Sequence, residues 1–270
     1  MQHTLLKRDA QGVCQLILNR PDAANAFDEQ LIAELITVLN QLSNDPDCRL
    51  LLLRGQGKHF SAGADLHWMQ RQAKMNQDAN ISDARELATL MQTLDNFPKP
   101  TVALVQGAAF GGALGLICCC DVAIASRNAR FCLSEVRLGL LPAVISPYVH
   151  RSIGMRQLRR YALSAELMDA TTALQLGLVH QVDDDLENAA QHIVTALLQG
   201  GPDAQRQCKT LLAQIETAPL DEALRYLTVQ TIANVRASKE AAEGIAAFFD
   251  KRSPRWQPER TSIPQEPAHD

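Results

Sequence analysis

Continuous apolar runs of strand length are the feature that most constrains the fold of this chain. The run RLLLLRG at 49–55 and the run TVALVQG at 101–107 show no alternation of polar and apolar residues. Strands of this kind are buried on both faces, as in a parallel sheet covered by helices. Apolar residues at helical spacing over 29–42, behind the capping residue Asp28, predict one such helix. Further strands are predicted at 12–18, 121–126 and 130–135, and a further helix at 83–97.

The succession of strand, helix, strand, helix and strand predicts an α/β fold with a largely parallel sheet. Beyond about residue 150 the periodicity becomes helical almost throughout. The residues GGPD, which begin at position 200, interrupt that pattern. We therefore predict a core over 1–200 and a helical C-terminal region over 201–270.

Composition and charge argue against two classes of partner. The chain has 270 residues and a net charge of −4, and it has no basic stripe interleaved with aromatic residues, so nucleic acid is not expected to bind. The arginines at 151, 156, 159 and 160 are interpreted as a solvated helix face. No apolar run reaches the roughly 18 residues that a membrane span requires, so no membrane partner is expected.

The seven cysteines predict free thiols in a reducing, cytoplasmic compartment, because their number is odd and no secretory leader is evident. Cys118, Cys119 and Cys120 are consecutive, a spacing that suits neither CxxC redox chemistry nor a zinc site. We interpret them as small core residues. We predict no metal site and no separate cofactor.

Two segments rich in small residues carry the functional prediction. Gly111 and Gly112 follow a strand and begin a helix, so their amides belong to the unpaired donors of a helix N-terminus. The stretch contains neither GxGxxG nor GxxxxGK[ST], and tight helix packing is the alternative explanation for its glycines. The segment HFSAGADL at 59–66 also follows a buried strand. Two amides from separate loops can hold an enolate oxygen.

The motifs RPDAANAF, HFSAGADL, GAAFGGALGL and FCLSEVRLGLLP, in this order, resemble the crotonase or enoyl-CoA hydratase/isomerase superfamily over essentially the whole chain. The resemblance implies a spiral of ββα turns and a homotrimer or a dimer of trimers. It implies that the C-terminal region mediates assembly and covers the CoA site. The substrate would be an acyl-CoA thioester, in which coenzyme A is part of the substrate.

The resemblance also implies roles for individual residues. The amides of Ala64 and Gly112 would bind the thioester oxygen, and Gly111 would lie beside them. The residues expected along the adenine and pantetheine are Ala62, Asp65 and Leu66. The basic residue of the family's RPxxxNA turn is absent, because 22–24 read Asp-Ala-Ala. Lys251 is therefore the candidate for contact with the CoA phosphates.

Of the two glutamates that the familiar hydratases carry, this chain matches one. Gly115 occupies the position of the first, and we expect it to leave vacant volume for a bulky or branched acyl group. Glu135 occupies the second, and an apolar neighbourhood would raise its pKa and suit it to proton transfer. One carboxylate serves either hydration or migration of the double bond. A non-catalytic acyl-CoA-binding protein is the alternative from another class.

The finer pattern resembles the bacterial methylglutaconyl-CoA hydratases and the related carboxygeranoyl-type hydratases. The segment after Pro142 replaces the glycine-rich loop of the ordinary short-chain hydratase. Such substrates carry a second carboxylate, whose burial is favoured by a cation. Arg137 and His150 are the candidates for that cation.

Overall fold

The structure of the protein is a computed structural model that describes residues 3–257. Its strands are β1 (Thr4–Arg8), β2 (Val13–Leu18), β3 (Leu50–Gly55), β4 (Thr101–Val105), β5 (Ala108–Phe110), β6 (Val122–Ser126), β7 (Arg130–Cys132), β8 (Met168–Asp169) and β9 (Gln181–Asp183). Its α-helices are α1 (Glu29–Asn44), α2 (Leu66–Gln72), α3 (Gln77–Asp95), α4 (Gly112–Cys119), α5 (Ser146–Ser164), α6 (Ala170–Gln175), α7 (Leu186–Leu198), α8 (Pro202–Thr217), α9 (Glu222–Arg236) and α10 (Lys239–Phe249). Two compact units meet in sequence between Val194 and Thr195.

A six-stranded sheet in the order β1-β2-β3-β4-β6-β9 forms the base of the first unit. Only β1 is antiparallel to its neighbour; β2, β3, β4, β6 and β9 run parallel. All five residues of β4 are buried, as the unbroken apolar run predicts. The helices α1, α3 and α4 pack together in the same unit, and α4 also packs against α5.

Helix α1 shows how the sequence determines these elements. The Asp28 carboxylate accepts a hydrogen bond from the Leu31 amide at 2.8 Å and caps the first turn. Five apolar side chains at helical spacing then enter the core: Leu31, Ile32, Leu35, Leu39 and Leu42. The predicted helix at 83–97 is present as α3, but it begins earlier, where Asn76 caps it through the Ala79 amide.

A second, three-stranded sheet in the order β5-β7-β8 carries the chain toward the candidate site. Strand β5 pairs with β7 in parallel, with Ala109 opposite Phe131 and Phe110 opposite Cys132. The Gly111 amide extends this pairing by donating to the Cys132 carbonyl at 2.9 Å. The start of α4 and the residues after β7 are therefore held side by side.

The second unit, described from Thr195 to 257, is helical, as the periodicity predicts. Helix α8 packs against both α9 and α10. The side chains of Asp221 and Ser238 cap α9 and α10. The roles that we predict for 1–200 and 201–270 stay predictions, and residues 258–270 lie outside the described part of the chain.

All seven cysteines are free thiols, six of them buried and Cys208 exposed. Burial raises the pKa of the Cys118 thiol to about 12, so this side chain keeps its proton and behaves as a small apolar group. Residues 3–257 contain no cluster of three or more side chains able to ligate a metal. Over the same residues, no helix has both the length and the apolarity that crossing a bilayer would require.

Candidate active site

Two loops that follow neighbouring strands run side by side in parallel. The Ser61 amide donates to the Ala108 carbonyl, the Phe110 amide donates to the Ser61 carbonyl, both at 3.0 Å, and Ser61 thus pairs with Ala109. Two residues further along, the segments still adjoin, because a Cβ atom on Gly111 would lie 4.0 Å from Gly63 Cα; Ala64 and Gly112 are the next residue of each segment. The close approach needs glycine at 63 and 111. A Cβ atom on Gly63 would lie 3.1 Å from the Phe110 carbonyl oxygen, and both glycines have positive φ.

The amides of Ala64 and Gly112 are unpaired donors on one cavity. Neither has a hydrogen-bond acceptor among residues 3–257, and both residues line a cavity of about 920 Å³. Gly112 is the first residue of α4, where the helix itself offers its amide no acceptor. Two unpaired N–H groups at the wall of a cavity are suited to one oxygen that carries negative charge.

Phe27, which sequence analysis did not single out, contacts the main chain on both sides of Ala64 and packs against Gly112. Two main-chain hydrogen bonds hold the residues on either side of Ala64. The Phe27 amide donates to the Gly63 carbonyl at 2.7 Å, and the Asp65 amide donates to the Phe27 carbonyl at 2.8 Å. Its ring lies 3.5 Å from the position that a Cβ atom on Gly112 would occupy. Phe27 closes the motif RPDAANAF, so the signal was present as the last apolar residue of that turn.

Glu135 lies on the same cavity, at the start of a 3₁₀ turn that follows β7. A Cβ atom on Gly111 would lie 3.1 Å from its Oε1, so the carboxylate adjoins the glycine that precedes the free Gly112 amide. Its Oε2 is buried and has no hydrogen-bond partner in the described part of the chain. Burial raises the pKa of the Glu135 carboxyl above its ordinary value, which favours a proton carrier near neutral pH.

Asp65 stabilises the loop that carries Ala64. Its carboxylate accepts hydrogen bonds from the His67 and Trp68 amides and so caps α2, and Arg20 lies 3.1 Å away. Burial opposes ionisation, but the Trp68 amide and the Arg20 guanidinium outweigh it and lower the pKa of Asp65. The Asp65 carboxylate is therefore engaged in holding the loop.

The two other residues predicted along CoA differ in position. Leu66 is 73% exposed and lines the cavity. Ala62 is half-buried, does not line it, and donates its amide to the Ala24 carbonyl at 2.9 Å. The contacts of Ala62 and Leu66 with coenzyme A stay predictions.

The rest of the cavity wall comes from α2, α3 and the segment between Leu138 and Ile145. It is mainly apolar, with Trp68, Leu87 and Val144 among its members. Its polar side chains, besides Glu135, are Gln70, Gln72, Asn80 and Asp83. The Asp83 carboxylate accepts hydrogen bonds from Trp68 Nε1 at 3.2 Å and from Gln72. Among the described residues that line the cavity there is no arginine, lysine or histidine.

The vacant volume predicted at Gly115 does not exist. A Cβ atom there would lie 2.4 Å from Ile145 Cγ2 and 2.8 Å from Met91 Sδ, and Gly115 does not line the cavity. The glycine allows a side chain from the segment after Pro142 to pack against α4. Tight helix packing, the alternative explanation for the glycines of this stretch, therefore applies at Gly115. A larger residue there would collide with Ile145 and Met91.

The two cations proposed for a second substrate carboxylate do not line the cavity. The Arg137 guanidinium donates to the Ala165 carbonyl at 2.7 Å, and His150 is exposed on α5. Pro142 lies on the cavity wall, and the substrate contact that the family resemblance implies for it stays a prediction. Lys251 lies in the second unit, on a smaller cavity of about 560 Å³ that it shares with Arg252 and Trp256. Its contact with CoA phosphates stays a prediction.

Comparison with known proteins identifies the family. Residues 8–259 match the enoyl-CoA hydratase/isomerase family. The chain belongs to this family. The 2,3-dehydroadipyl-CoA hydratase of Escherichia coli is 35% identical over 92% of this chain and 96% of its own.

Solved structures agree with that assignment. An enoyl-CoA hydratase from Shewanella pealeana superposes with a TM-score of 0.92 at 53% identity, over 94% of this chain and 96% of its own. AtuE from Pseudomonas aeruginosa superposes with a TM-score of 0.91 at 38% identity, over 95% of this chain and 100% of its own. The predicted α/β crotonase fold is confirmed. The protein is an enzyme with enoyl-CoA hydratase activity, and family members act on acyl-CoA thioesters.

Proposed function

We propose that the chain adds water across a 2-enoyl-CoA, with Ala64 and Gly112 as the oxyanion donors and Glu135 as the single acid and base. The observation that carries the proposal is the arrangement of three unpaired groups on one cavity. Two amides have no acceptor and one buried carboxylate oxygen has no donor among residues 3–257. A bound thioester supplies an acceptor to the amides, and a bound water supplies a donor to the carboxylate.

The step proceeds through an enolate. Glu135 takes a proton from water as the water oxygen bonds to the β-carbon, and the π electrons of the double bond move toward the thioester oxygen. The Ala64 and Gly112 amides bind the negative charge on that oxygen. Glu135 then gives the proton to the α-carbon, which yields a 3-hydroxyacyl-CoA. The amides act most strongly on the enolate, so they lower the barrier more than they tighten substrate binding.

For the acyl group we propose methylglutaconyl-CoA or a similar branched, carboxylated enoyl-CoA, in line with the finer sequence resemblance to hydratases of that class. The E. coli relative supports a second carboxylate, because its name specifies a dehydroadipyl thioester. Since Arg137 and His150 do not line the cavity, the donors available to such a carboxylate on the described wall are the amides of Gln70 and Asn80.

Isomerisation of the double bond is the second candidate function, and the presence of a single glutamate on the described wall of the cavity supports it. A lone glutamate can carry a proton between the α-carbon and the γ-carbon of a 3-enoyl-CoA, and the family includes isomerases. The two reactions differ in whether a water molecule is added. The non-catalytic alternative gives no reason for Glu135 to lie on the same cavity as two unpaired amides, with a buried Oε2 that has no partner among residues 3–257.

The experiment compares three thioesters: crotonyl-CoA, methylglutaconyl-CoA and a 3-enoyl-CoA. Gain of one water without bond migration supports hydration, migration alone supports isomerisation, and binding without turnover contradicts both. Glu135→Gln should lower turnover by at least about 100-fold, the usual effect of removing a general acid or base, while CoA affinity is retained. Glu187→Gln is the matched control, because Glu187 is exposed and pairs with Arg54. Unchanged turnover in Glu135→Gln would contradict the proposed mechanism.

The preference for a carboxylated acyl group has its own test. Gln70→Leu and Asn80→Leu should raise the KM for methylglutaconyl-CoA and leave the KM for crotonyl-CoA within about twofold. Equal effects on the two substrates would contradict a role in carboxylate recognition. A higher kcat/KM for crotonyl-CoA than for methylglutaconyl-CoA in the unaltered enzyme would contradict the acyl assignment itself.

We infer that the second unit mediates a homotrimer or a dimer of trimers. Its helices present exposed apolar side chains, with Leu220, Phe248 and Phe249 each more than 70% exposed. An exposed apolar surface of this kind marks an interaction site. Light scattering on the intact protein should give a mass of three or six chains, and Phe248→Ser should reduce it. A monomer at micromolar concentration would contradict this assembly.

Two further assignments are also proposals. Lys251 would contact the CoA phosphates, so Lys251→Ala should raise the KM for a CoA thioester and not for the matching pantetheine thioester, which lacks those phosphates. The seven free thiols support a cytoplasmic location. Cell fractionation checks the location, and recovery outside the cytoplasm would contradict it.

A further inference from the structure

We propose that His59 is a positioning residue for the oxyanion donors, acting through the hydrogen bond that its Nδ1 accepts from the Ala108 amide at 3.0 Å. The inference rests on the proposed function, because the two amides that it aligns are those of Ala64 and Gly112. His59 does not line the cavity and does not touch the substrate site. It lies five residues before Ala64, at the start of the paired loops.

The main chain around His59 already joins the two segments. The Phe60 amide donates to the Gln106 carbonyl at 2.7 Å, and Ser61 then pairs with Ala109 as described above. The His59 side chain adds a bond in the opposite sense, from the Ala108 amide on one segment to an acceptor on the other. Its place at the first step of the pairing sets the register in which Gly63 and Gly111, the residues directly before the two donors, adjoin.

The imidazole is itself held in place. Asn25, which is fully buried, donates its amide to the His59 carbonyl at 2.8 Å and so fixes the main chain there. On the other side, a Cβ atom on Gly107 would lie 2.7 Å from His59 Nδ1 and 2.2 Å from the Lys58 carbonyl oxygen. Gly107 therefore leaves just enough room for the ring, and its φ of +59° is one that glycine adopts readily.

The hydrogen bond also defines the chemical state of the ring. Nδ1 accepts from the Ala108 amide, and the tautomer that fits this bond carries its proton on Nε2. Asparagine can place Oδ1 close to the position of Nδ1 and so restore the acceptor. Glutamine places its acceptor one bond further out, close to the position of Nε2, and cannot reproduce the contact without moving its main chain.

The oxyanion donors lie on both segments, so a shift of one segment against the other separates them. Loss of one complete donor in such a pocket lowers kcat by about 100- to 1,000-fold, and a displaced donor has a smaller effect. We expect His59→Gln and His59→Ala to lower kcat for crotonyl-CoA by about tenfold or more and to change KM by less than about twofold. His59→Asn should recover most of the lost kcat.

A matched control exists within the same chain. His180 Nδ1 accepts from the Ala123 amide at 3.0 Å, the same kind of bond at the same length, but it joins β6 to the segment before β9. His180→Gln should lower the melting temperature about as much as His59→Gln and leave kcat unchanged. The comparison separates general stabilisation of the fold from alignment of the two amides.

A spectroscopic measurement reports on the pocket directly. Acetoacetyl-CoA is a β-keto thioester whose enolate absorbs in the near ultraviolet, and two aligned donors increase the enolate fraction of the bound molecule. We expect that fraction to fall in His59→Gln, to return in His59→Asn and to stay unchanged in His180→Gln. A purely structural role for His59 would lower the melting temperature without altering the spectrum of the bound molecule.

The outcomes separate this inference from the proposed function. If the unaltered protein hydrates no enoyl-CoA, the proposed function fails first. If it hydrates crotonyl-CoA but His59→Gln keeps its kcat and its enolate signal, the role of His59 is wrong and the mechanism stands. The role is also wrong if His59→Asn and His59→Gln lose activity equally. His59→Asn and His59→Gln both keep a polar side chain, so the comparison survives a failure of His59→Ala to fold.

Discussion

At Glu135 the requirements of the reaction and of stability oppose each other. Burial raises the pKa of this carboxyl, so the folded chain holds the proton more tightly than the unfolded chain does. The free energy of unfolding therefore decreases as pH rises from the ordinary Glu value, near 4.3, through the raised value. Glu135→Gln removes the ionisable group and should raise the melting temperature at pH 7 while it abolishes turnover.

Thermal unfolding of both proteins between pH 4 and pH 8 checks this prediction. The difference in melting temperature should vanish at the acid end, where the carboxyl is protonated in the folded and the unfolded chain alike. A gain in stability that is the same at every pH would show that packing, rather than ionisation, causes it. Turnover of the unaltered enzyme should rise with pH across the same interval, because only the ionised carboxylate can take a proton from water.

Gly115 shows the limit of a family pattern as a guide to shape. An alanine in the middle of a helix ordinarily stabilises it by roughly 0.5–1 kcal/mol relative to glycine. Here the added Cβ would clash with Ile145 Cγ2 and Met91 Sδ, and overpacking of this kind costs about 1–3 kcal/mol. Gly115→Ala should therefore lower the free energy of unfolding.

The double variant Gly115→Ala with Ile145→Ala provides the control in denaturant unfolding. Removal of Ile145 Cγ2 takes away the closer of the two clashes, so Ile145→Ala should cost less stability in the Gly115→Ala background than alone. If Ile145→Ala lowered the free energy of unfolding equally with and without Gly115→Ala, the clash would be relieved in some other way.

At the scale of elements, the cap of α2 couples the oxyanion loop to pH. The Asp65 carboxylate caps the helix and lies beside Arg20, and its pKa is lowered. A lowered pKa contributes stability that is present above the ordinary Asp value, near 3.9, and is lost as pH falls through the folded value. Asp65→Asn retains a capping oxygen but loses the charge.

We therefore expect Asp65→Asn to be less stable than the unaltered protein at pH 7 and the difference to be smaller at pH 3, below the ordinary Asp value. Chemical unfolding at the two pH values measures the difference. Asp221→Asn, which alters the cap of α9 in the second unit, is the comparison. The Asp221 carboxylate accepts a hydrogen bond from the Leu224 amide and forms no ion pair with an arginine among residues 3–257. An equal loss in both variants at pH 7 would contradict a special contribution from Arg20.

Elements with a strong local signal were predictable from the sequence, and elements fixed by pairing were not. The runs at β3 and β4 and the capped pattern of α1 matched because each element has a continuous apolar surface. Strand β1 is mostly exposed, and β8 has two residues, so neither shows a periodicity. Their strand geometry comes from pairing with partners distant in sequence.

The candidate site divides in the same way. The family resemblance pointed to Ala64, Gly112 and Glu135, and the structure places all three on one cavity. The filling of the space above Gly115 by Ile145 depends on how the segment after Pro142 folds back, which no local pattern specifies. The hydrogen bond of His59 to Ala108 likewise joins residues 49 positions apart.

At the scale of the whole molecule, the cysteines provide a measure of how tightly the core is packed. Six of the seven are buried, and Cys208 alone is exposed. Burial also raises the pKa of the Cys48 thiol to about 12 and raises the pKa of the Cys119 thiol, so little reactive thiolate forms at neutral pH. A packed core should therefore protect these thiols until the chain unfolds.

We expect a thiol reagent at pH 8 to modify Cys208 quickly in the native protein and to reach the six buried thiols at the much slower rate of unfolding or local opening. All seven should react at once in denaturant. Cys208→Ser is the control and should remove the fast phase alone, with mass spectrometry to locate the modified residue. Cys118 and Cys119 both lie in α4. Fast modification of either would show that this helix opens far more readily than the burial of its residues 113–119 implies.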